Sequence, residues 1–203
     1  MPEKKNRAES AQARRRLIVD AAIACFIDKG FHQTSIRDIA KRAGVSLGNV
    51  YNHFENKNAL IAEIATYEAE DIEEIEREIA KSTDPIDALD RFAALHAGQY
   101  CQPGVPLLIA EIISEGLRNP EIGTGFSQNR ARLVSSITSL VQKISESDDS
   151  PTDLSHRDCA EFILDLVEGL AMRCAFEGRE LKATDLTLLK KGIRRLLGVE
   201  KFR

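Results

Sequence analysis

Apolar residues recur at three- and four-residue intervals along most of this chain, which is the periodicity of amphipathic α-helices. A first apolar stripe occupies residues 11 to 29 and stops at Gly30. A second, shorter stripe consists of Ile36, Ile39, Ala40 and Ala43. Further stripes follow from residue 57 onward. The pattern predicts an all-α protein with three helices in front of residue 56 and about six behind it.

The short stripe is bounded by residues that begin and end helices. Ser35 and Asp38 have the spacing of a capping box, in which the serine hydroxyl accepts from a free backbone amide. Gly44 follows the stripe, where a helix commonly ends in left-handed backbone that glycine adopts without a Cβ clash. Ser46 can then cap a second helix. Residues 34 to 54 are therefore predicted to form a helix-turn-helix.

The second helix is expected to turn Val50 and Phe54 inward and to leave its other positions outside. A helix-turn-helix inserts the first residues of its second helix into the DNA major groove. We expect Asn49 to make two hydrogen bonds to an adenine edge, Leu47 to contact a thymine methyl, and Gly48 to let the backbone approach closely. The predicted DNA-contacting residues are Arg14, Thr34, Ser35, Ser46, Leu47, Gly48, Asn49, Tyr51, Asn52, His53 and Lys57.

Charge is divided unevenly along the chain. Residues 1–60 hold 11 Lys and Arg against 6 Asp and Glu, whereas residues 61–203 hold 17 against 26. A helical hairpin buried in an all-α domain would show the same apolar pattern without needing a basic flank. A positive front part neutralises phosphates, which supplies the sequence-independent share of DNA affinity. The charge distribution therefore favours DNA binding over the buried hairpin.

The front part resembles the N-terminal signature of the TetR family of transcriptional regulators. The matching positions, between residues 12 and 61, are Gly30-Phe31, Thr34-Ser35-Ile36, Ile39-Ala40, Ala43-Gly44-Val45-Ser46, Gly48, Tyr51, His53-Phe54, Lys57 and Leu60. The resemblance implies a homodimeric repressor that binds a palindromic DNA operator and is released by a small-molecule effector. Leu47 and Asn52 depart from the commonest pattern, in which a basic residue and an arginine are frequent, so we expect an altered operator preference.

With this resemblance the chain divides into three parts: a disordered arm (1–10), a DNA-binding domain (11–55) and an effector-binding and dimerisation domain (56–203). Asn56 is predicted to cap a long fourth helix that joins the last two parts. Asp84 and Pro85 open the next helix, and Ser155 with Asp158 marks the start of a later one.

The last two long helices are the predicted dimer interface. Each has more apolar positions than one covered face requires, and Gly169, Ala171 and Ala175 would allow helices to approach closely. By resemblance, they pair with their copies in a four-helix interface. The alternative is that their surplus apolar surface lines the core of a monomer.

Effector pockets are mostly apolar with a few polar groups, so candidates are polar or aromatic residues within the apolar helices between residues 85 and 176. These are His96, Tyr100, Glu111, Phe126, Phe162, Glu168 and Met172. Each has an alternative role in packing or at the surface, and the sequence does not identify the effector.

Other classes of function find less support. The sequence contains no Gly-rich phosphate loop, nucleophile elbow or pair of metal ligands on one helix, so we predict no enzyme, no metal site and no cofactor. No apolar run reaches the roughly 18 residues of a membrane helix, and a cytoplasmic protein is expected. Two alternatives stay open: a DNA-binding regulator or architectural protein without an effector, and control by oxidation of Cys101, which stands beside a predicted helix break.

Overall fold

The computed structural model of the chain describes residues 2–147 and 153–199, with side chains from residue 10 to 146 and from 153 to 199. This part of the chain forms helices joined by short connections and no strand. The helices are α1 (Pro2–Lys29), α2 (Ile36–Ala43), α3 (Leu47–Tyr51), α4 (Lys57–Ile79), α5 (Pro85–Tyr100), α6 (Val105–Arg118), α7 (Pro120–Ser147), α8 (His156–Phe176) and α9 (Ala183–Leu196). The all-α prediction of three helices followed by about six is confirmed.

The first residues differ from the prediction of a disordered arm, because α1 begins at Pro2. Residues 3–9 are mainly Glu, Lys, Arg and Ala, which have high helix propensity, and no proline or glycine interrupts them. Pro2 stands at the first helical position, where its missing N–H has no intrahelical partner to lose. Polar composition alone was therefore a poor guide to disorder here.

Three predicted helix starts are confirmed by their cap hydrogen bonds. The side chain of Asn56 accepts from the N–H of Ala59 at 3.0 Å, and that of Asp84 accepts from the N–H of Ile86 at 3.1 Å. Ser155 accepts from the N–H of Asp158 at 3.1 Å. Helix α7 extends to Ser147, and residues 148–152 lie outside the described residues.

The chain divides into two compact units. Unit 1 comprises residues 1–67 and 107–125, and unit 2 comprises residues 68–106 and 126–203. The unit that holds the helix-turn-helix therefore does not end at residue 55, the predicted domain boundary, but includes α6 and the start of α7. Helices α4 and α7 each contribute residues to both units.

Unit 1 is built on α1, which packs against α2, while α2 packs against α3. Its largest fully buried side chains are Ile18, Phe26, Ile39, Phe54, Leu60 and Ile61. The start of α7 lies so close to α4 that a Cβ added to Gly125 would stand 2.8 Å from the Cβ of Ala65. Because real Cβ atoms do not approach so closely, only glycine fits at this point.

In unit 2, helix α5 packs against α8 and α9. The core is almost entirely aliphatic, with Phe92 as its one fully buried phenylalanine ring among the described residues. Its other largest buried members are Ile137, Ile144, Ile163, Leu164 and Ile193. His96 is buried in the same unit with 1% of its surface exposed.

Candidate nucleic-acid interface

The turn between α2 and α3 has the geometry that the sequence predicted. Ser35 and Asp38 form a complete capping box at the start of α2. Gly44 adopts φ +66°, and the following N–H of Val45 donates to the carbonyl of Ala40 at 3.0 Å, which closes the last turn of α2. The local sequence therefore fixes where α2 ends and in which direction the chain leaves it.

Helix α3 is held at its start by Ser46, whose hydroxyl oxygen accepts from the N–H of Asn49 at 3.1 Å. The helix is only five residues long and ends at Tyr51, earlier than predicted. Phe54 is buried as expected, but it comes three residues after the end of α3 in the sequence. Its N–H donates to the carbonyl of Val50 at 2.9 Å. The inward positions of α3 thus anchor it to the core of unit 1.

The solvent side of α3 carries Leu47, Gly48, Tyr51 and Asn52, all of them exposed. Tyr51 is a large ring with 53% of its surface in solvent, and Leu47 exposes 37%. A Cβ added to Gly48 would meet nothing within 4 Å, so nothing in the described chain requires a glycine there. A requirement for glycine at this position would have to come from a partner that approaches the helix closely.

Asn49 is placed differently from the prediction. Its Oδ1 is buried and has no hydrogen-bond partner, and the residue lines a groove together with Arg14 and Leu17 of α1. A two-bond contact with an adenine edge needs both ends of the side-chain amide. In this arrangement one end of the Asn49 amide faces the protein, so the bidentate contact stays a prediction that requires the side chain to turn toward solvent.

Three other predicted DNA contacts are corrected by the structure. Thr34 is 1% exposed, and its hydroxyl lies 3.0 Å from the carbonyl of Cys25 and 2.8 Å from that of Gly30. Ser35 is exposed, but both its N–H and its O–H donate to the Asp38 carboxylate, which leaves no donor for a phosphate. For Ser35, the capping geometry that made it recognisable in the sequence also occupies its polar groups.

Lys57 is the third correction. Its Nζ donates to the carbonyl of Phe31 at 2.6 Å and lies 4.3 Å from the centre of the Phe31 ring. Burial lowers the pKa of the Lys57 ammonium, which agrees with a side chain directed into the protein. Lys57 therefore fastens the loop after α1 to the start of α4, and a phosphate contact is not available to it in this position.

The three consecutive arginines of α1 divide into different roles. Arg15 makes paired hydrogen bonds to the Glu63 carboxylate at 2.5 and 2.6 Å, donates to the carbonyl of His53 at 3.0 Å, and stacks 4.4 Å from the Phe54 ring centre. Arg16 lies over the ring of Tyr67 at 4.0 Å. Arg14, one of the predicted DNA contacts, is exposed at the groove beside α3 and makes no ion pair with the described side chains.

Two basic residues on α2 were missed in the sequence. Arg37 and Lys41 stand one turn apart on the solvent side of α2, opposite its buried Ile39 and Ala40, and both are exposed. The signal was present, because residues 37 and 41 have the four-residue spacing of a helix face and lie off the apolar stripe. The first helix of a helix-turn-helix crosses the DNA backbone, so such a pair suits phosphate contacts.

Helix α6 contacts the loop between α1 and α2 within unit 1. The N–H of Phe31 donates to Oε2 of Glu111 at 2.8 Å, and Nε2 of His32 lies 2.7 Å from Oε1 of the buried Glu115. Arg118 donates to the same Glu115 oxygen at 2.9 Å. Glu111 was predicted to bind an effector, but its carboxylate is occupied by the loop that connects α1 with α2.

The other predicted effector residues are only partly brought together. His96 and Tyr100 lie in contact on α5 with ring centres 4.2 Å apart, and Glu168 pairs with Arg130 in the same unit. Phe162 and Met172 lie on the exposed side of α8, with 49% and 37% of their surfaces in solvent. These two do not line a common buried site with His96, and no contact places Phe126, which is half-buried, beside it.

Cys101 has little of the character of a redox sensor. Burial raises the pKa of its thiol to about 11, and the neighbouring Cys174 contributes to the increase. Because the thiolate is the reactive form, a thiol with so high a pKa reacts slowly near neutral pH. Control through oxidation of this residue is disfavoured.

Among the described residues, no group of three or more His, Cys, Asp or Glu side chains has an arrangement that would hold a metal ion. None of the helices described combines the length and apolar character of a membrane span.

Residues 18–64 match the family model described as "Bacterial regulatory proteins, tetR family". The match covers the end of α1, the whole helix-turn-helix and the first part of α4. Residues 18–64 of this chain therefore carry the DNA-binding domain of the TetR family. The proteins of that family are regulators rather than enzymes, and relatives of this chain are named transcriptional regulators.

Relatives extend the likeness over the whole length. The chain is 24% identical over 200 residues to the HTH-type transcriptional regulator UidR of Escherichia coli (strain K12), covering 95% of both chains. It is 28% identical over 193 residues to the HTH-type transcriptional repressor Rv1474c of Mycobacterium tuberculosis, covering 90% of this chain and 94% of that one. Among solved structures, Salmonella enterica GusR superposes with a TM-score of 0.72 at 26% identity, over 91% of this chain and 95% of that one.

Proposed function

We propose that this TetR-family regulator is a repressor that binds a palindromic operator as a homodimer and leaves it when a small molecule binds. The observation that carries the proposal is the exposed face of α3, where Leu47, Gly48 and Tyr51 form a solvent-facing surface beside Arg14 of α1. Arg37 and Lys41 extend the positive surface along α2. Arg14, Arg37, Lys41 and Ser46 would bind phosphates, while Leu47 and Tyr51 would reach into the major groove.

The proposed dimer interface is the exposed apolar stripe of α8. Phe162, Leu166, Gly169 and Phe176 recur at intervals of four, three and seven residues, so they lie along one side of the helix. Phe176 exposes 87% of its surface, and a Cβ added to Gly169 would meet nothing within 4 Å. A second copy would cover this stripe and present two recognition helices to two half-sites one helical turn apart.

The proposed effector site lies in unit 2 around His96. Tyr100 donates to Oε1 of Glu68 at 3.2 Å, and Asn129 donates to Oε2 of the same carboxylate at 2.7 Å. Glu68 follows Tyr67 on α4, so it stands at the point where this helix passes from unit 1 into unit 2. A molecule that displaces Glu68 from its partners would act directly on α4, the helix that follows the helix-turn-helix. It would thereby change the spacing of the two recognition helices of the dimer.

We infer a cytoplasmic location from this role, because the operator of a bacterial regulator is in the cytoplasm. The second candidate function is an architectural DNA-binding protein without an effector. It would use the same positive surface but would not need a base-reading helix.

Selection of DNA from a random pool by the purified full-length chain tests the proposal. The expected result is one palindromic sequence that binds at least about 10³-fold more tightly than random DNA at physiological salt. An architectural protein would show little preference, and this result would reject the repressor. Phe176→Glu should give monomers in sedimentation and weaken operator binding, whereas Ser135→Glu, a similar change on exposed α7 surface, should leave the dimer intact.

A further inference from the structure

His96 is the most unusual polar side chain in unit 2. It is 1% exposed, and neither ring nitrogen has a hydrogen-bond partner. A neutral imidazole always carries one N–H donor and one bare nitrogen acceptor. Leaving such groups buried and unpaired destabilises the folded state. A core position with no further role would be filled more stably by an apolar residue.

The ring of His96 is part of an aromatic ladder on α5, which we define as Phe92, His96 and Tyr100. The centres of Phe92 and His96 are 5.2 Å apart with nearly parallel planes, and those of His96 and Tyr100 are 4.2 Å apart. Successive members stand four residues apart, so the ladder follows one side of the helix. Aromatic faces of this kind attract cations placed over them.

The charge beside the ladder is negative and incompletely balanced. Glu68 accepts hydrogen bonds from Tyr100 and Asn129, which are both neutral, and no described Lys, Arg or His forms an ion pair with it. Burial raises the pKa of the Glu68 carboxyl, as expected for a charge without a cationic partner. A cation next to this carboxylate would gain a charge-assisted hydrogen bond.

Arg130, whose positive charge acts on His96 and Tyr100, is already engaged. Arg130 pairs with Glu168 and with Asp165 at 2.8 Å and Glu161 at 3.3 Å, so one guanidinium serves three carboxylates. Burial also raises the pKa of the Glu168 carboxyl. An anionic ligand would therefore have to compete with three carboxylates for Arg130, and it would meet the unbalanced charge of Glu68.

We propose that the effector is an organic cation that carries N–H donors, such as a protonated amine or amidine, bound between the aromatic ladder and Glu68. One N–H of the ligand donates to the bare nitrogen of His96, and others replace Tyr100 and Asn129 as donors to Glu68. This assignment rests on the proposed function, since it names the chemical class of the effector of the same regulator. A quaternary ammonium fits less well, because it has no N–H to offer His96.

The test is calorimetric titration of the purified full-length protein with four small probes. 2-Phenylethylammonium and benzamidinium carry charge and N–H donors, phenyltrimethylammonium carries charge alone, and phenylacetate carries the opposite charge. The first two are expected to bind at millimolar concentrations or below, more tightly than phenyltrimethylammonium, with no binding of phenylacetate. Stronger binding of phenylacetate, or no binding of either N–H cation, overturns the proposal.

The affinities of single-residue variants show where 2-phenylethylammonium binds. Glu68→Gln should weaken the binding of 2-phenylethylammonium by at least about tenfold, because the glutamine amide keeps the shape of the side chain and loses its negative charge. Glu74→Gln removes a carboxylate from the exposed side of the same helix and should leave binding unchanged. Tyr100→Phe keeps the ring and removes a donor that the ligand must displace from Glu68, so it should tighten the binding of 2-phenylethylammonium. This second variant tests the site if Glu68→Gln disturbs folding, and weaker binding by it contradicts the assignment. Equal affinities for wild-type protein and a folded Glu68→Gln variant contradict the assignment.

The outcomes separate this proposal from the proposed function. A protein that selects a palindrome but is released by an anion or a neutral compound remains a ligand-responsive repressor, and only the class of effector is wrong. A protein that selects no DNA sequence rejects the proposed function, whatever its affinity for amines.

Discussion

The backbone N–H of Phe31 donates to the carboxylate of Glu111 at 2.8 Å, although the two residues stand 80 positions apart. Gly30, immediately before Phe31, adopts φ +79°, and a Cβ added to it would lie 3.3 Å from Oε1 of Glu111. The loop that leads from α1 into α2 is therefore shaped around a side chain of α6. This contact explains why α6 belongs to the same compact unit as the helix-turn-helix.

Removing the Glu111 acceptor should destabilise unit 1. Glu111→Leu leaves the N–H of Phe31 without its partner, and we expect the free energy of unfolding to fall by about 1–2 kcal/mol. Urea unfolding followed by circular dichroism measures the loss. Glu111→Gln is the control, because its side-chain oxygen can still accept, and it should lose less than half as much. Equal stability of the leucine variant and the wild type would show that the contact contributes nothing.

Gly48→Ala should separate folding from DNA binding. The added Cβ meets nothing within 4 Å, and alanine favours a helix by up to about 1 kcal/mol over glycine, so the variant should be at least as stable as the wild type. Its operator affinity should nevertheless fall at least about tenfold, because the methyl group stands on the face that approaches DNA. Gly98→Ala on α5 is the matched control, with equally open surroundings and no expected effect on DNA binding. Unchanged affinity of Gly48→Ala would remove α3 from the interface.

Replacing Arg14 or Arg15 of α1 by alanine should change different properties: DNA binding for Arg14 and stability for Arg15. Arg14→Ala is expected to leave the unfolding temperature unchanged and to lower the slope of log affinity against log salt by about one phosphate contact. Arg15→Ala removes the paired bonds to Glu63 and the stacking on Phe54, so it should lower the free energy of unfolding by about 1 kcal/mol or more. Salt-dependent operator binding and thermal unfolding of both variants check the division. A salt slope that Arg14→Ala leaves intact would argue against its phosphate contact.

Much of the helix-turn-helix, residues 34 to 54, was predictable because the residues that begin and end its helices act locally. The cap at Ser35, the left-handed Gly44 and the cap at Ser46 all act within four residues of themselves, so the sequence contains both the cause and the effect. The exposed face of α3 followed from the same spacing. The predictions for Lys57 and Glu111 failed because their partners are distant in sequence. The sequence does not indicate that the Lys57 ammonium bonds to the carbonyl of Phe31, or that the Glu111 carboxylate accepts from the N–H of Phe31.

The same limit applies to the predicted effector residues. Helical periodicity indicated that His96 and Tyr100 lie one turn apart, and the structure places their rings in contact. It could not indicate which side of α8 is covered, so Phe162 and Met172 were selected although they are exposed. Glu68 and Asn129 were missed because their pairing depends on the packing of α4 against α7 in unit 2.

His96 should make stability depend on pH. Burial, with a contribution from Arg130, lowers its pKa to about 4, whereas an unfolded histidine titrates near about 6.5. Between these values the unfolded chain binds a proton that the folded chain does not, so stability falls as the pH falls through this window. From about pH 7 to about pH 5 the loss due to this group is about 2 kcal/mol.

The comparison with His96→Gln isolates that loss. The raised pKa values of Glu68 and Glu168 act in the opposite direction in both proteins, so the difference between them reports His96 alone. Urea unfolding at the two pH values should show a smaller decrease for the variant. Identical decreases in the two proteins would mean that His96 takes up its proton in the folded protein as readily as in the unfolded chain.

The measurement that tests the central claim most directly is the affinity of the full-length chain for its selected palindrome and for a scrambled duplex of equal length, in the same physiological salt. We predict a preference of at least about 10³-fold for the palindrome, with two chains bound per duplex. A preference below about tenfold would contradict the assignment of α3 as a recognition helix and leave only non-specific binding to DNA.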